Sequence, residues 1–192
     1  MCKKDRLTYE SHVAKSSEAS RAASAESSDT QVTEFDNQMM RHAIEQAKLA
    51  ADEGEIPVGA VLVYNDEIIA WGRNQSITKL DPSAHAEMLA IKQGTMALGN
   101  YRLPGTTLYV TLEPCSMCAG LLVHARIDRL VFGAKDAKTG ACGSISNIVQ
   151  DARLNHQIKL SSGVLTEECS LMLSEFFRLR RAKKKALKKG EC

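Results

Sequence analysis

Apolar residues recur along the chain with two different periods, and each period predicts a different element. At positions 40, 43, 44, 47 and 51 they fall on one face of a helix, which Gly54 ends. Residues 58–64 and 68–73 are two short apolar runs on either side of the polar pair Asn65-Asp66. Such runs around a polar turn predict a β-hairpin that follows the first helix.

The hydrophobic pattern continues as helices and strands in alternation. Pro82 and Ser83 predict a helix start, since Pro suits the first turn and Ser83 would cap it, and Pro114 directly before Cys115 predicts a second helix start. Apolar runs return between and after these helices, where they predict strands. The predicted segments are a helix from 83 to about 98, a strand at 106–112, a helix from 115 to about 125, strands at 129–133 and near 158–160, and a helix from 166.

Strands that alternate with helices predict an α/β fold, in which helices cover both faces of one sheet. We expect a three-layer α/β/α sandwich with a central mixed five-stranded sheet. A length of 192 residues suits one such domain, which we place at 35–182. Residues 1–34 are rich in Ser, Ala and Glu without a sustained period, so we expect a disordered N-terminal tail. Residues 183–192 are expected to form a basic C-terminal tail.

Composition argues against a membrane span and favours a cytoplasmic protein. Apolar residues make up 44% of the chain, but no apolar run approaches the roughly 20 residues that a membrane-spanning helix needs. The N-terminus has no apolar segment of the kind found in secretion signals. The six cysteines lack the spacing of a disulfide framework, which fits a reducing compartment. We expect Cys142 and Cys169 to be small apolar residues of the interior.

The positive charge of the chain is concentrated near its C-terminus. The formal net charge is only +2, yet residues 178–189 contain eight lysines and arginines and no acidic residue. A solvated helix end and a surface that binds a polyanion both fit this segment.

Two short segments carry the chemistry. Residues 81–87 contain His85 and Glu87, and 28 residues after Glu87 the chain reaches Cys115, followed by Cys118. One imidazole and two thiolates are three zinc ligands, which leaves a fourth position open for water, as in a catalytic site. A structural zinc site would use four protein ligands. A helix start in each segment would let the two ends converge on one metal, and the field at a helix N-terminus favours thiolates.

Each segment alone has a more ordinary interpretation. Cys-x-x-Cys in an intracellular protein is often a redox pair, although no long βαβ pattern precedes this one. His-x-Glu is commonly just the start of a helix. In combination, with Pro114 before the first cysteine, the segments match the zinc deaminase signature, whose carboxylate is a general acid and base rather than a ligand. Iron or cobalt would also suit these donors.

Five segments of the chain match a known family. They read IPVGAV at 56–61, DPSAHAE at 81–87, LYVTLEPCSMCAG at 108–120, FGAKDAKTGA at 132–141 and FFRLRR at 176–181. In these segments the chain resembles the bacterial tRNA-specific adenosine deaminases, within the cytidine deaminase-like superfamily. The resemblance extends from about residue 40 to about residue 185. The metal motif belongs to the whole superfamily, whereas the loop at 135–140 and the Phe-Phe-Arg ending point to the tRNA branch.

The resemblance implies an enzyme that binds one Zn²⁺ per subunit and acts as a homodimer. Its substrate would be adenosine at the wobble position of a tRNA anticodon stem-loop, and its product inosine. Glu87 would take a proton from the water that attacks C6 of adenine, deliver it to the neighbouring ring nitrogen, and let the amino group leave as ammonia. A target base in an anticodon loop is already largely unpaired, which lowers the cost of moving it into a pocket.

The resemblance also implies residues that hold the RNA. Asn74 would hydrogen-bond the flipped nucleoside, although an Asn at a strand end commonly satisfies its own turn. Asp136 would contact sugar or backbone near the target, and a helix cap is an equal alternative. Phe177, Arg180 and Arg181 would place the last helix against the RNA, while Phe176 packs inward.

Two rival functions share some of these features. A deaminase of free nucleobases or nucleotides, of the guanine, cytosine or dCMP type, would have the same zinc site without needing a basic ending. A non-catalytic, zinc-stabilised RNA-binding module would also use the metal. Glu87 argues against that module, because folding alone does not require a carboxylate beside the metal.

Overall fold

The computed structural model describes residues 32–190. Nearly all of the predicted N-terminal tail, 1–34, lies outside the described residues. The helices are α1 Glu34–Asp52, α2 Ala86–Leu98, α3 Ser116–Ala125 and α4 Thr166–Gly190. The strands are β1 Gly59–Tyr64, β2 Glu67–Arg73, β3 Thr106–Leu112, β4 Arg129–Ala134 and β5 Lys159–Ser162. The basic segment expected at 183–192 continues α4 as far as Gly190.

The five strands form one mixed sheet in the order β2-β1-β3-β4-β5. β1 pairs antiparallel with β2 and with β3, whereas β3, β4 and β5 run parallel to one another. Asn65 and Asp66 close the β1–β2 hairpin with positive φ angles of 50° and 63°, as a tight hairpin turn requires. The predicted mixed five-stranded sheet is therefore confirmed. No helix within residues 32–190 has the length and apolar character of a membrane span.

Helices cover both faces of the sheet, which confirms the three-layer sandwich. Along β1, Ala60 and Leu62 face the core shared with α2 and α3, whereas Val61 and Val63 face the core shared with α1. A strand that is buried on both faces reads as a continuous apolar run, and this is what residues 58–64 show. Cys142 and Cys169 are buried in the interior, as predicted.

Two glycines of the hairpin let helices lie directly on the sheet. A Cβ on Gly59 would collide with the backbone of α1 at Ala43, and a Cβ on Gly72 would collide with the backbone of Ala86. Because Ala86 is the first residue of α2, Gly72 fixes the position of that helix start. The residues around this start form the candidate site.

A buried ion pair joins α1 to the middle of the sheet. Asp36 is fully buried and accepts hydrogen bonds from Arg129 at 2.7 and 3.0 Å and from the Tyr109 hydroxyl at 2.8 Å. It also closes a capping box with Thr33 at the start of α1. Burial alone would raise the pKa of Asp36, but the Arg129 hydrogen bond and the other donors outweigh it and lower the pKa to about 2.

Replacement of Asp36 by Asn should therefore destabilise the protein, by about 3 kcal/mol near neutral pH, because Arg129 would lose its buried partner. The folded carboxyl has a pKa of about 2 against 3.8 unfolded, so its contribution is present above 3.8 and is lost toward pH 2. The difference in unfolding free energy between wild type and D36N should shrink by about 2 kcal/mol over that range. Urea unfolding at a series of pH values measures it.

Asp151→Asn is the matched control. Asp151 also pairs with an arginine, Arg153, at 2.6 Å, but the arginine side chain is 89% exposed. Water screens an exposed pair, so this variant should unfold almost like wild type. Equal losses in the two variants would show that burial of the Asp36 pair has no special role.

Candidate active site

The starts of α2 and α3 bring the predicted metal ligands together. His85 and Cys115 are the residues directly before the two helices, and both have extended backbones. The prediction that Ser83 caps the first of these helices is wrong, because the Ser83 hydroxyl donates instead to Asp81, at 2.7 Å. The helix begins at Ala86, and His85 occupies the position before it.

The three side chains form a compact group. The Nδ1 atom of His85 lies 3.5 Å from the sulfur of Cys118 and 3.7 Å from that of Cys115. All three donor atoms lie within 4.8 Å of one another. A tetrahedral zinc ion with Zn–S of about 2.3 Å and Zn–N of about 2.0 Å places nitrogen and sulfur roughly 3.5 Å apart. The spacing of the donors and their softness both fit zinc.

The electrostatics of the cysteine pair also favour a cation. A hydrogen bond from Cys118, followed by one with His85, lowers the pKa of Cys115 to about 3. The same contact with Cys115, together with burial, raises the pKa of the Cys118 thiol. A dication between the two sulfurs favours their thiolate forms, which couples metal binding to proton release.

Glu87 lies beside this group without belonging to it. It is the second residue of α2, its side chain is buried, and its oxygens are not among the clustered donor atoms. Burial raises the pKa of Glu87, and the charge on Cys115 acts in the same direction, while His85 lowers it. A carboxylate with a raised pKa, held beside a metal, has the properties of a general acid and base. Its role stays a prediction.

Asn74 lies at the end of β2, next to the same helix start. Its side-chain oxygen accepts a hydrogen bond from the backbone N–H of Ala86 at 2.9 Å, which satisfies one of the free donors at the start of α2. Its amide nitrogen is the group left to donate to a substrate. Asn74 therefore has a structural contact with the start of α2 through its oxygen. This contact still allows the predicted hydrogen bond from its nitrogen to a nucleoside, which stays a prediction.

Asp136 organises its own loop. Its carboxylate accepts hydrogen bonds from the backbone of Lys138 at 2.8 Å and of Thr139 at 3.2 Å, and from the Thr139 hydroxyl at 2.6 Å. The alternative of a helix cap is wrong in form, because residues 137–139 form a turn and no helix begins there, so Asp136 caps a loop turn instead. A direct contact with RNA stays a prediction.

The residues predicted to hold RNA on the last helix do not join the metal group. Phe177, Arg180 and Arg181 lie on the exposed part of α4, where Phe176 is half-buried and meets Phe177 edge-on. Arg180 borders a cavity of about 730 Å³ between α1 and α4. Their roles in RNA binding stay predictions.

Sequence reasoning missed two buried carboxylates beside the site. Glu55 is 2% exposed and accepts hydrogen bonds from Ile77 and Thr78, in the loop that leads to α2. Glu113 is 3% exposed and precedes the Pro114-Cys115 segment. Burial would raise the pKa of Glu113, but its donors, Ser144 first among them, lower it overall. For Glu113 the one available signal was an acidic residue directly after a buried strand, and Glu55, which follows α1, had no such signal.

The chain was compared with known families, curated proteins and solved structures. Residues 33–134 match the family model described as the cytidine and deoxycytidylate deaminase zinc-binding region. The tRNA-specific adenosine deaminase of Haemophilus influenzae is 56% identical over 80% of this chain and 89% of its own length. The enzyme of the same name from Bacillus subtilis is 54% identical over 81% of this chain and 96% of its own.

The chain belongs to the tRNA-specific adenosine deaminase family. A solved structure from a study of A-to-I editing by tRNA:A34 deaminases at the wobble position has the same fold, with a TM-score of 0.69 and 40% identity. It covers 71% of this chain and 99% of its own. The predicted family and cytidine deaminase-like fold are thus confirmed, and the cofactor is one zinc ion per chain.

Replacement of Cys115 by Ser should remove most of the bound zinc, because a hydroxyl is a much weaker ligand than a thiolate for this metal. The measurement is the zinc content of purified protein. A second readout is the zinc that is released when a thiol-reactive reagent modifies the cysteines. Cys142→Ala is the matched control, since Cys142 is a buried cysteine outside the donor group. A C115S protein with its full complement of zinc would contradict the ligand assignment.

Proposed function

We propose that this protein converts adenosine to inosine by hydrolytic deamination at the wobble position of a tRNA anticodon. The observation that carries the proposal is the 54–56% identity to tRNA-specific adenosine deaminases over 89–96% of their length. The convergence of His85, Cys115 and Cys118 beside Glu87 supplies the chemical support. Neither rival function is favoured by these findings.

The metal and the side chains have different roles in the proposed reaction. Zinc, when bound by His85, Cys115 and Cys118, supplies a Lewis acid that makes water nucleophilic near neutral pH. Glu87 accepts the proton that the attacking water loses and passes it to the ring nitrogen beside C6 of adenine. The Glu87 carboxylate then takes the remaining proton from the hydroxyl now on C6 and gives it to the amino group, which leaves as ammonia. Burial of Glu87 supports this role, because a raised pKa brings the carboxyl closer to the pH at which it must exchange protons.

The basic end of α4 supports an RNA substrate. From Arg178 onward the described helix presents exposed lysines and arginines and no acidic residue. Such a row of charges binds phosphates in a salt-dependent manner. Phe177, 37% exposed, adds an aromatic surface on which a base can stack. We propose that this part of α4 contacts the anticodon stem-loop.

The homodimer and the cytoplasmic location belong to the same proposal. Met117, in the first turn of α3, is a large apolar side chain that is 38% exposed next to the metal ligands. A second copy of the chain would cover it. The tRNA substrate and the thiolate ligands both suit a reducing cytoplasm.

Replacement of Glu87 by Gln should leave zinc in place and lower the deamination rate by at least about 10²–10⁴, because the amide cannot shuttle a proton. Mass spectrometry of an incubated anticodon stem-loop, read for inosine, measures the rate. Ammonia release from free nucleobases and nucleotides, assayed in parallel, tests the rival deaminases. Glu67→Gln, an exposed carboxylate on β2, is the control. Full activity of E87Q would refute the mechanism, and turnover of free bases alone would refute the substrate.

Replacement of four of the five lysines of α4, Lys183, Lys184, Lys185 and Lys188, by Gln should weaken RNA binding and flatten its salt dependence. For each phosphate that the helix no longer neutralises, the slope of log K against log salt should change by roughly 0.7–0.9. The same four positions changed to Arg keep the charge and should keep the slope. Binding of an anticodon stem-loop at several salt concentrations is the measurement. An unchanged slope in the Gln variant would exclude this part of α4 from the RNA interface.

A further inference from the structure

The Glu113 carboxylate is hydrogen-bonded by a single loop, which we define as the rim loop, residues 135–146. One carboxylate oxygen accepts the backbone N–H groups of Cys142 and Ser144, each at 3.0 Å. The other accepts the N–H of Asp136 at 3.0 Å and the hydroxyl of Ser144. The carboxylate thus holds both ends of the rim loop through one buried group.

The same loop is joined by backbone contacts to the zinc-binding turn, which we define as Pro114 and Cys115. The Pro114 carbonyl accepts a hydrogen bond from Ala141 at 2.8 Å, and Cys115 forms a β-bridge with Gly140. A Cβ on Gly140 would collide with the Glu113 carboxylate, so that glycine permits the approach of loop and carboxylate. The zinc ligand Cys115 and the rim loop therefore share one rigid connection.

The outer side of the rim loop is suited to bind a substrate. Lys135, Lys138, Thr139 and Ile145 are exposed there, while Asp136 fixes the turn between the two lysines. Two cations, a hydroxyl and an apolar side chain suit a nucleotide with its phosphates. The inner side of the loop meets Glu113, which does not face solvent.

We propose that Glu113 is a positioning residue that holds the rim loop in a fixed position relative to the zinc-binding turn. RNA bound by the loop is then correctly placed to reach the metal. Glu113 does not touch the substrate and acts through the loop. The assignment of RNA as the ligand of the loop rests on the proposed function. The positioning itself rests on the four hydrogen bonds and on the contact with Gly140.

Glu55 offers a matched comparison within the same chain. It is also buried, and it accepts the N–H groups of Ile77 at 3.2 Å and Thr78 at 2.7 Å and the Thr78 hydroxyl at 2.9 Å. Its loop, residues 75–81, contains the exposed Lys79. The two carboxylates therefore hold two different loops, each of which contains an exposed site for trypsin.

Glu113→Gln is the informative variant, because the amide replaces one acceptor by a donor. Its NH₂ group cannot face Cys142 and Ser144, where two N–H groups already point at one oxygen. Facing the other side, it meets the Ser144 hydroxyl, which can accept, and the N–H of Asp136, which cannot. The substitution therefore releases the Asp136 end of the loop. Ser144→Ala, a milder variant, removes one hydrogen bond and keeps the carboxylate.

Limited trypsin digestion of the zinc-loaded protein tests the positioning without any substrate. In E113Q, cleavage after Lys135 and Lys138 should accelerate roughly tenfold or more, since a hydrogen bond to a charged group is removed, while cleavage after Lys79 stays unchanged. In Glu55→Gln the pattern should be the reverse. S144A should fall between wild type and E113Q. Equal acceleration at all three lysines, or no acceleration at Lys135 and Lys138, would overturn the proposal.

Steady-state kinetics with an anticodon stem-loop test the consequence for the substrate. In E113Q and S144A we expect KM to rise, by about tenfold in E113Q, with kcat within about threefold of wild type and zinc content unchanged. A purely structural role would instead lower zinc content and activity in proportion at constant KM, and that result would overturn the proposal. If the wild-type protein does not deaminate the stem-loop, the proposed function and the RNA assignment fail together. The digestion experiment still decides whether Glu113 sets the loop.

Discussion

The direct contact between the hairpin and the start of α2 is the constraint on which the metal site depends. Gly72 leaves no room for a side chain against Ala86, and Asn74 binds the N–H of the same residue at 2.9 Å. His85 therefore has a position defined by the sheet. Cys115 and Cys118 reach the same point because β3 leads into α3 after a short turn. A change in how α2 packs on the hairpin would move one zinc ligand relative to the other two.

The metal group lies in a different part of this molecule from the exposed residues proposed to hold RNA. The zinc ligands and Glu87 lie at the starts of α2 and α3. The start of α3 follows the carboxyl end of β3, and the start of α2 lies beside β2. Burial raises the pKa of Glu87 at this position. The residues expected to hold RNA lie on the rim loop and on the exposed part of α4. A buried carboxylate beside one buried and one half-buried cysteine suits proton transfer at a metal, whereas exposed cations suit the phosphates of a large substrate.

Much of the fold follows from local patterns, because the periods of apolar residues and the turn residues Asn65-Asp66 act over short distances. Ser83 shows where such signals fail. Its hydroxyl is a good helix cap in isolation, but Asp81 two residues away accepts it first. The motif residues His85, Cys115 and Cys118 were predictable because the chemistry requires particular residue types at particular spacings.

The long-range carboxylates could not be predicted in the same way. Asp36 meets Arg129 across 93 positions, and Glu113 meets its loop partners across 23 to 31 positions. An acidic residue that is destined for burial looks, in sequence, like any residue of the surface. Only the folded backbone provides the N–H groups or the guanidinium that make such burial favourable.

The rim loop is attached by one carboxylate, a glycine and the two small buried side chains of Ala141 and Cys142, and this has an evolutionary consequence. The exposed side chains of Lys135, Lys138 and Ile145 can vary as long as Glu113, Gly140 and the backbone N–H groups that donate to Glu113 stay in place. A lineage can then acquire a new recognition surface without rebuilding its interior or disturbing its catalyst. Diversification of targets around one conserved reaction is what this mode of attachment permits.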